Sequence, residues 1–458
     1  MNRCIFLLIV FSAYSLSIAA QQWHPLFDGS NLDQWEKRGG TASYDIVDNT
    51  IVGTAAMDHY NTFLCTKEKF SDFILELEIF LPNHLNSGIQ FRSNVNERGF
   101  VAGYQCEIDP SQRKFSGGIY DESRRGWMYP LSRNPKAQNA FELGTWNQIR
   151  IECLENDLRT FINGQQCSWL IDNETANGFI GLQVHGIGSK ESVGYQVKWR
   201  NIRIATEEVE KYRWPTDPDI PQLNYLKNEL TAWEKERGWK LLWDGKTTNG
   251  WRDATHHAFP EKAWKIENGE LIVLGVDESQ KKGSGDIITT STYNNFELEL
   301  EFKVTAGANS GIKYFVNPNL NEGKGSTIGC EFQILDDQLH PDAKQGKKGN
   351  RTVASLYDLI AADNLNTPGR GKQFKGIGAW NKARIVSQNG KVEHWLNNEL
   401  ALEYDRFSQI FQALVNYSKF ENDTNFGQWP EGVILLQDHG DVVHFRSIKI
   451  RRLGTFNK

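Results

Sequence analysis

Two segments of the chain alternate apolar and acidic residues, Phe73-Ile74-Leu75-Glu76-Leu77-Glu78-Ile79 and Phe296-Glu297-Leu298-Glu299-Leu300-Glu301-Phe302. Successive side chains of a strand point to opposite faces, so each segment predicts a half-exposed antiparallel strand with one apolar and one acidic face. Further strands are predicted at 149–153, 158–162, 197–204, 383–387, 392–396 and 443–450, with turn signals at Asn163-Gly164 and Asn389-Gly390. Helical periodicity is almost absent. Many strands with few helices bury their apolar faces as a two-sheet sandwich, here an all-β jelly roll.

The pattern occurs twice. Phe27-Asp28-Gly29 to Trp35 returns as Trp243-Asp244-Gly245 to Trp251, and Asn86-Ser87-Gly88-Ile89 as Asn309-Ser310-Gly311-Ile312. Ile119-Tyr120-Asp121 returns as Leu356-Tyr357-Asp358, Trp146-Asn147 as Trp380-Asn381, and Leu182-Gln183-Val184-His185-Gly186 as Leu436-Gln437-Asp438-His439-Gly440. A period this long exceeds any solenoid unit, so each copy is a domain with its own core. The copies span 21–205 and 238–458. Between them, 206–237 carries Pro215, Pro218 and Pro221, then Leu223, Leu226, Leu230 and Trp233 at helical spacing. That segment reads as a proline-rich, helical linker packed on one domain, or else as a wall of the substrate site.

Composition narrows the function. With 458 residues, net charge −6 and dispersed Lys and Arg, the chain lacks the basic footprint of a nucleic-acid binder. Its 15 Trp, 14 Tyr and 25 Phe suit cross-strand packing first and sugar stacking second. Arg3, an apolar run at 5–18 and Ala19-Ala20 have the parts of a secretory signal peptide over 1–20, which predicts export to the periplasm or cell surface. No other run approaches a membrane span, so none is expected in the mature chain. Without Cys4, five cysteines remain at positions that do not repeat between halves, which argues against a disulfide framework.

Candidate chemistry lies where alternation gathers polar side chains on one sheet face. In the second half these are Lys313, then Glu331 and Gln333, then Gln437 and His439; the first half offers Gln90 and Arg92, then Gln105, Glu107 and Asp109, then Gln183 and His185. Each alone is ordinary surface polarity. Together they line a cleft more readily than a core, because an unpaired charge inside a sandwich is costly.

The ordered motifs resemble the 3-keto-disaccharide hydrolase domain family, a concanavalin/LamG-like jelly roll of exported bacterial proteins. Over 238–453 they are Trp243-Asp244-Gly245, Asn309-Ser310-Gly311-Ile312-Lys313-Tyr314, Glu331-Phe332-Gln333-Ile334-Leu335-Asp336, Ser355-Leu356-Tyr357-Asp358, Trp380-Asn381, Val392-Glu393-His394-Trp395-Leu396-Asn397 and Leu436-Gln437-Asp438-His439-Gly440. The first half resembles a divergent copy, read with Arg92 in the place of Lys313 and with Glu107-Ile108-Asp109 in the middle motif.

The resemblance implies a substrate already oxidised at C3 by a separate sugar 3-dehydrogenase. The ketone acidifies the C2 proton, so a base removes it and expels the C1 substituent; water addition to the enone completes a net hydrolysis. That chemistry needs a base, a cation at the enolate oxygen and an acid at the leaving oxygen. The expected catalytic set is Lys313 as enolate stabiliser with Glu331 and His439 as base and acid. The expected substrate-binding set is Gln333, Gln437, Tyr357, Arg92, Glu107, Gln183 and His185. A divalent metal replacing Lys313 as electrophile would draw on Glu331, Asp336, His340 and His439. Two rival readings are a non-catalytic carbohydrate-binding protein and an ordinary glycoside hydrolase with two facing carboxylates.

Overall fold

The computed structural model describes residues 22–275, 285–317 and 328–454; the expected signal peptide, with Cys4, lies outside them. Two β-sandwiches follow one another. In the first, a nine-stranded sheet runs Leu223–Asn224, Gln165–Ile171, Asp157–Ile162, Trp146–Leu154, Phe73–Phe80, Gln196–Ala205, Thr50–Thr54, Ser43–Val47, with His24–Pro25 pairing alongside Gln196–Ala205. Its partner is a seven-stranded sheet, Gly126–Tyr129, Ile119–Glu122, Val101–Ile108, Ser87–Val95, Phe179–Val184, Thr62–Thr66, Trp35–Gly39. The second sandwich repeats the plan with eight-stranded and five-stranded sheets; the latter runs Trp251–Asp253, Ile287–Thr289, Val433–Leu436, Asn309–Val316, Cys330–Leu335. The architecture is the all-β tandem sandwich expected from the alternation.

Each core comes from the apolar half of the alternation. Leu75, Leu77 and Ile79 are buried in one and Leu298, Leu300 and Phe302 in the other. Burying a side chain of this size stabilises by about 1.5–3 kcal/mol. The Asn-Gly turns form as expected: Asn163, Gly164, Asn389 and Gly390 all have positive φ, the geometry a two-residue hairpin needs to match strand twist. All five described cysteines are buried free thiols. Among the described residues, no helix is long and apolar enough to cross a membrane.

Two expectations need correction. The helical spacing at 223–237 overstates the helix. Leu223–Asn224 instead adds a parallel strand beside Gln165–Ile171, and the helix is only Ala232–Glu236. Asn228 breaks the run with φ 56, and Thr231 starts the helix through a capping box with Glu234. The acidic face of Phe296–Val304 is also not half-exposed: Glu297, Glu299 and Glu301 are buried. Glu297 pairs with Arg384 and Arg451, Glu299 with Lys382 and Lys449, and Glu301 with Arg446. Glu234 of the linker helix reaches Lys449 in the same network.

The domains touch directly. Ser132 Oγ donates to the Asn398 carbonyl (3.2 Å), while Asn398 Nδ2 donates to the Met128 carbonyl (3.2 Å) and the Tyr225 hydroxyl (2.8 Å). The Arg133 guanidinium lies 5.2 Å from the Trp395 ring centroid.

Candidate active site

Strand pairing sets Lys313 opposite Glu331 and Gly311 opposite Gln333. Ile312, Tyr314, Phe332 and Ile334 all enter the core, so alternation turns Lys313, Glu331 and Gln333 to the other face. Lys313 Nζ is 3.9 Å from Glu331 Oε2, with the side chains only 6% and 7% exposed. Burial raises the Glu331 carboxyl; Lys313 and Lys419 oppose that and Asp286 adds to it, with a net upward shift. Glu331 therefore holds a proton more tightly than an exposed glutamate while facing a cation.

Glycine at 311 makes room for that carboxylate. A Cβ there would stand 2.1 Å from Glu331 Oε1. Gly311→Ala is expected to push Glu331 off Lys313 and destabilise the second domain by about 1–3 kcal/mol, as other overpacked sites do. Urea unfolding and turnover, measured together, check this; unchanged values for both would show that the contact relaxes freely.

Gln333 donates weakly to Asn309 Oδ1 (3.4 Å), and its Oε1 is buried with no partner among the described residues. Gln437 and His439 lie just beyond the strand Val433–Leu436; Gln437 is half-buried, its N–H bonded to the Gly311 carbonyl (3.0 Å), and His439 is exposed. Tyr357 donates its hydroxyl to Asp342 Oδ2 (2.7 Å), and the Lys419 ammonium sits 4.2 Å from its ring centroid.

The expected metal ligands do not gather as one set. Asp336 is committed to backbone N–H groups, with Oδ1 accepting from Gln338 and Leu339 (3.0 and 3.3 Å) and Oδ2 from Gly307 (2.8 Å). Glu331 faces Lys313. His340, His439 and Asp441 do come together, with donor atoms within 4.8 Å of one another. By donor type they suit a divalent cation. Nδ1 of His340 accepts from the Asp342 N–H (3.2 Å), so its neutral ring carries the proton on Nε2 and would have to lose it to ligate there.

Asp441, Asp286 and Lys419 escaped the sequence reading. Asp441 follows the His439 motif by two residues and was within reach of a wider window. Asp286, which accepts from the Asp438 N–H (2.9 Å), and Lys419 carry no local motif.

The family model of the 3-keto-alpha-glucoside-1,2-lyase-like domain matches residues 22–205 and again 238–451. The chain belongs to this family. A protein of Bacteroides thetaiotaomicron named 3-keto-disaccharide hydrolase is 39% identical over 240 residues, which is 47% of this chain and 79% of that protein. A solved structure from Parabacteroides distasonis, of a protein classed as a candidate glycosyl hydrolase, is 30% identical, covering 50% of this chain and 100% of that one with a TM-score of 0.43. A second such structure from that organism is 25% identical, covering 47% and 99% with a TM-score of 0.34.

The two lyase-like domains correspond residue by residue along the strands of the site. Superposing Asn86-Ser87-Gly88-Ile89 on Asn309-Ser310-Gly311-Ile312 puts Gln90, not Arg92, in the place of Lys313. Pairing agrees: Gln90 faces Gln105 and Gly88 faces Glu107, as Lys313 faces Glu331 and Gly311 faces Gln333. Arg92 corresponds to Phe315, and both have positive φ, 45° and 53°, at the same irregularity. This corrects the placement of Arg92 among the substrate-binding residues. Its guanidinium is turned away to bond the carbonyls of Ser71 (2.7 Å) and Glu155 (2.6 Å) and the Asp72 carboxylate (2.8 Å).

The first lyase-like domain therefore replaces the ion pair with two amides. Gln90 Nε2 donates to Gln105 Oε1, Gln105 Nε2 to Glu107 Oε2, and Asn86 Nδ2 to Glu107 Oε1, each at 2.7 Å. Burial again raises the glutamate. Glu107, Gln183 and His185 line a cleft of about 460 Å³, with His185 exposed at its edge.

Proposed function

We propose that the second lyase-like domain cleaves 3-keto-glycosides or 3-keto-disaccharides, in a net hydrolysis that begins with abstraction of the C2 proton. The observation that carries this reading is the buried Lys313–Glu331 pair, a cation and a proton-seeking carboxylate side by side on an otherwise uncharged strand pairing. Family membership and the name of the 39% identical relative support the substrate class.

In this reading the C3 carbonyl oxygen lies against the Lys313 ammonium. Glu331 takes the C2 proton and the electron pair moves into an enolate that Lys313 stabilises. Collapse of the enolate breaks the C1–O bond, and His439, at the open edge, protonates the departing oxygen. Water then adds at C1 of the enone and gives its proton back to His439, Glu331 returns a proton to C2, and the product is the free 3-keto sugar. Gln333, Gln437 and Tyr357 hold hydroxyls. Were a divalent cation held by His340, His439 and Asp441 instead, it would supply the electrophile at the departing oxygen in place of the His439 proton. The commitment of Asp336 to backbone counts against a paired-carboxylate glycosidase using Glu331 and Asp336. The reading includes export of the chain and a separate sugar 3-dehydrogenase that makes the substrate.

The test is turnover of 3-keto-trehalose or a 3-keto-glucoside by the purified mature chain, beside the unoxidised sugars and with or without chelator. Cleavage confined to the keto sugars is expected, whereas equal cleavage of the unoxidised sugars would overturn the elimination. His439→Ala is expected to lower kcat by at least about tenfold to a hundredfold, a positioned acid or base typically contributing about 10²–10⁴-fold. Near-wild-type turnover in that variant would remove His439 from the reaction.

A further inference from the structure

We propose that the cleft between the two domains is a glycoside-binding site that does no chemistry, floored by the first domain's seven-stranded sheet and completed by residues of the second domain. It rests on the preceding reading only for the class of ligand. Gln105, Glu107 and Gln183 line it from the first domain, and Arg370, Lys375 and Glu399 from the second. At about 460 Å³ it falls within the range of about 300–1,000 Å³ typical of small-molecule clefts.

One buried side chain that lines it has an unmet oxygen and a second is poorly satisfied. Gln183 is 1% exposed and its Oε1 is bonded to nothing among the described residues; Glu399 is 3% exposed, and its carboxyl has only the Ser132 hydroxyl, outside good hydrogen-bond geometry, and the attraction of Arg370 and Arg113. A buried polar atom left unmade costs about 1–3 kcal/mol, so the Gln183 oxygen, with the poorly satisfied Glu399 carboxyl in the same cleft, points to a ligand that completes them. Trp127 and Tyr120, packed edge to face at 5.3 Å, add an aromatic wall.

The lining chemistry suits a neutral polyhydroxylated ring. Of the cations there, Arg113 is tied to Asp109 (2.6 Å) and Arg125 to Asp121 (2.5 Å) and Asp172 (2.6 Å), leaving Arg370 and Lys375 against the carboxyls of Glu107, Glu122 and Glu399. An anion would gain no net attraction. Burial, with Glu107 adding for Glu122, pushes both Glu122 and Glu399 up to about 7, so each can donate as well as accept. A sugar hydroxyl needs both. Turnover is not expected in the cleft, because Gln90 and Gln105 stand where Lys313 and Glu331 stand in the second domain.

The test is calorimetric titration of the full chain carrying Lys313→Met with trehalose and with 3-keto-trehalose, alone and combined with Gln183→Leu or Arg370→Ala. Arg370 is exposed, so its replacement spares the fold. A saturable binding event that each cleft variant weakens at least tenfold is expected. Absence of saturable binding, or binding that neither variant changes, would overturn the proposal. So would turnover of the keto sugar by the Lys313→Met chain that falls on adding Glu122→Gln. The catalytic reading fails separately, on absent turnover by the wild-type chain.

Discussion

Lys313→Met is expected to lower kcat on a 3-keto-glucoside by about a hundredfold to a thousandfold while changing KM little. Removing one preorganised donor aimed at developing oxyanion charge typically costs that much. The ketone is neutral in the ground state and charged only as the C2 proton leaves, so the ammonium matters most at the transition state. A structural competitor must be separated from this. Breaking a buried ion pair on one side commonly costs about 3–5 kcal/mol, because the surviving charge is left without compensation. Glu331 has a way out: its carboxyl is already raised by burial, and losing Lys313 removes the strongest of the cations that hold it down. Its carboxyl shifts further upward, toward the neutral form, so the stability loss at neutral pH will fall short of that range. The variant should melt close to wild type and still turn over slowly. Kinetics alongside a thermal melt decide between the roles: a raised KM with kcat preserved would make Lys313 a substrate-binding group, and a large drop in melting temperature would make it a structural one.

Much of this was legible in the sequence wherever local chemistry settles the matter. Alternation through Lys313 and through Glu331-Phe332-Gln333 assigned the polar face correctly, because core burial of Phe332 and Ile334 leaves no other choice. Asn163-Gly164 and Asn389-Gly390 announced their turns because Asn and Gly adopt the positive φ that a tight hairpin requires at little cost. Arg92 was misplaced by matching charge to charge across the repeat, when counting from Gly88 puts Gln90 opposite Gln105. The fate of Glu297, Glu299 and Glu301 could not be read locally. Their face is acidic and would be solvated in one isolated sandwich; it is buried because cationic partners on neighbouring strands, Glu234 on the linker helix and Arg133 from the other domain converge on it. The cleft holding Gln183 and Glu399 was illegible for the same reason, since no pattern within either half states how the halves sit together.

That buried network carries the second large effect. Glu299→Ala is expected to destabilise the second domain by about 3 kcal/mol at neutral pH, the low end for one-sided removal of a buried pair. Burial alone would raise the Glu299 carboxyl; Lys382 and Lys449, followed by Arg133 and Arg384, overcome it and hold the group well below the usual carboxylate range. The low end applies because Lys449 keeps Glu234 when Glu299 is lost, so chiefly Lys382 is stranded, 3.2 Å from the Asn224 carbonyl. The pH dependence has a definite sign. A carboxyl depressed in the folded state stabilises fully above its unfolded value of 4.5, and that contribution disappears as pH falls toward the folded value. Wild-type stability should therefore drop below about pH 5 more steeply than that of Glu299→Ala, and urea unfolding of the second-domain transition across this window measures the difference. Glu299→Met combined with Lys382→Met tests the coupling. Replacing both partners by apolar groups removes the stranded charge along with the pair, so the double variant should be more stable than either single one. Strict additivity would mean that the two charges, though 3.1 Å apart, are each satisfied by other neighbours.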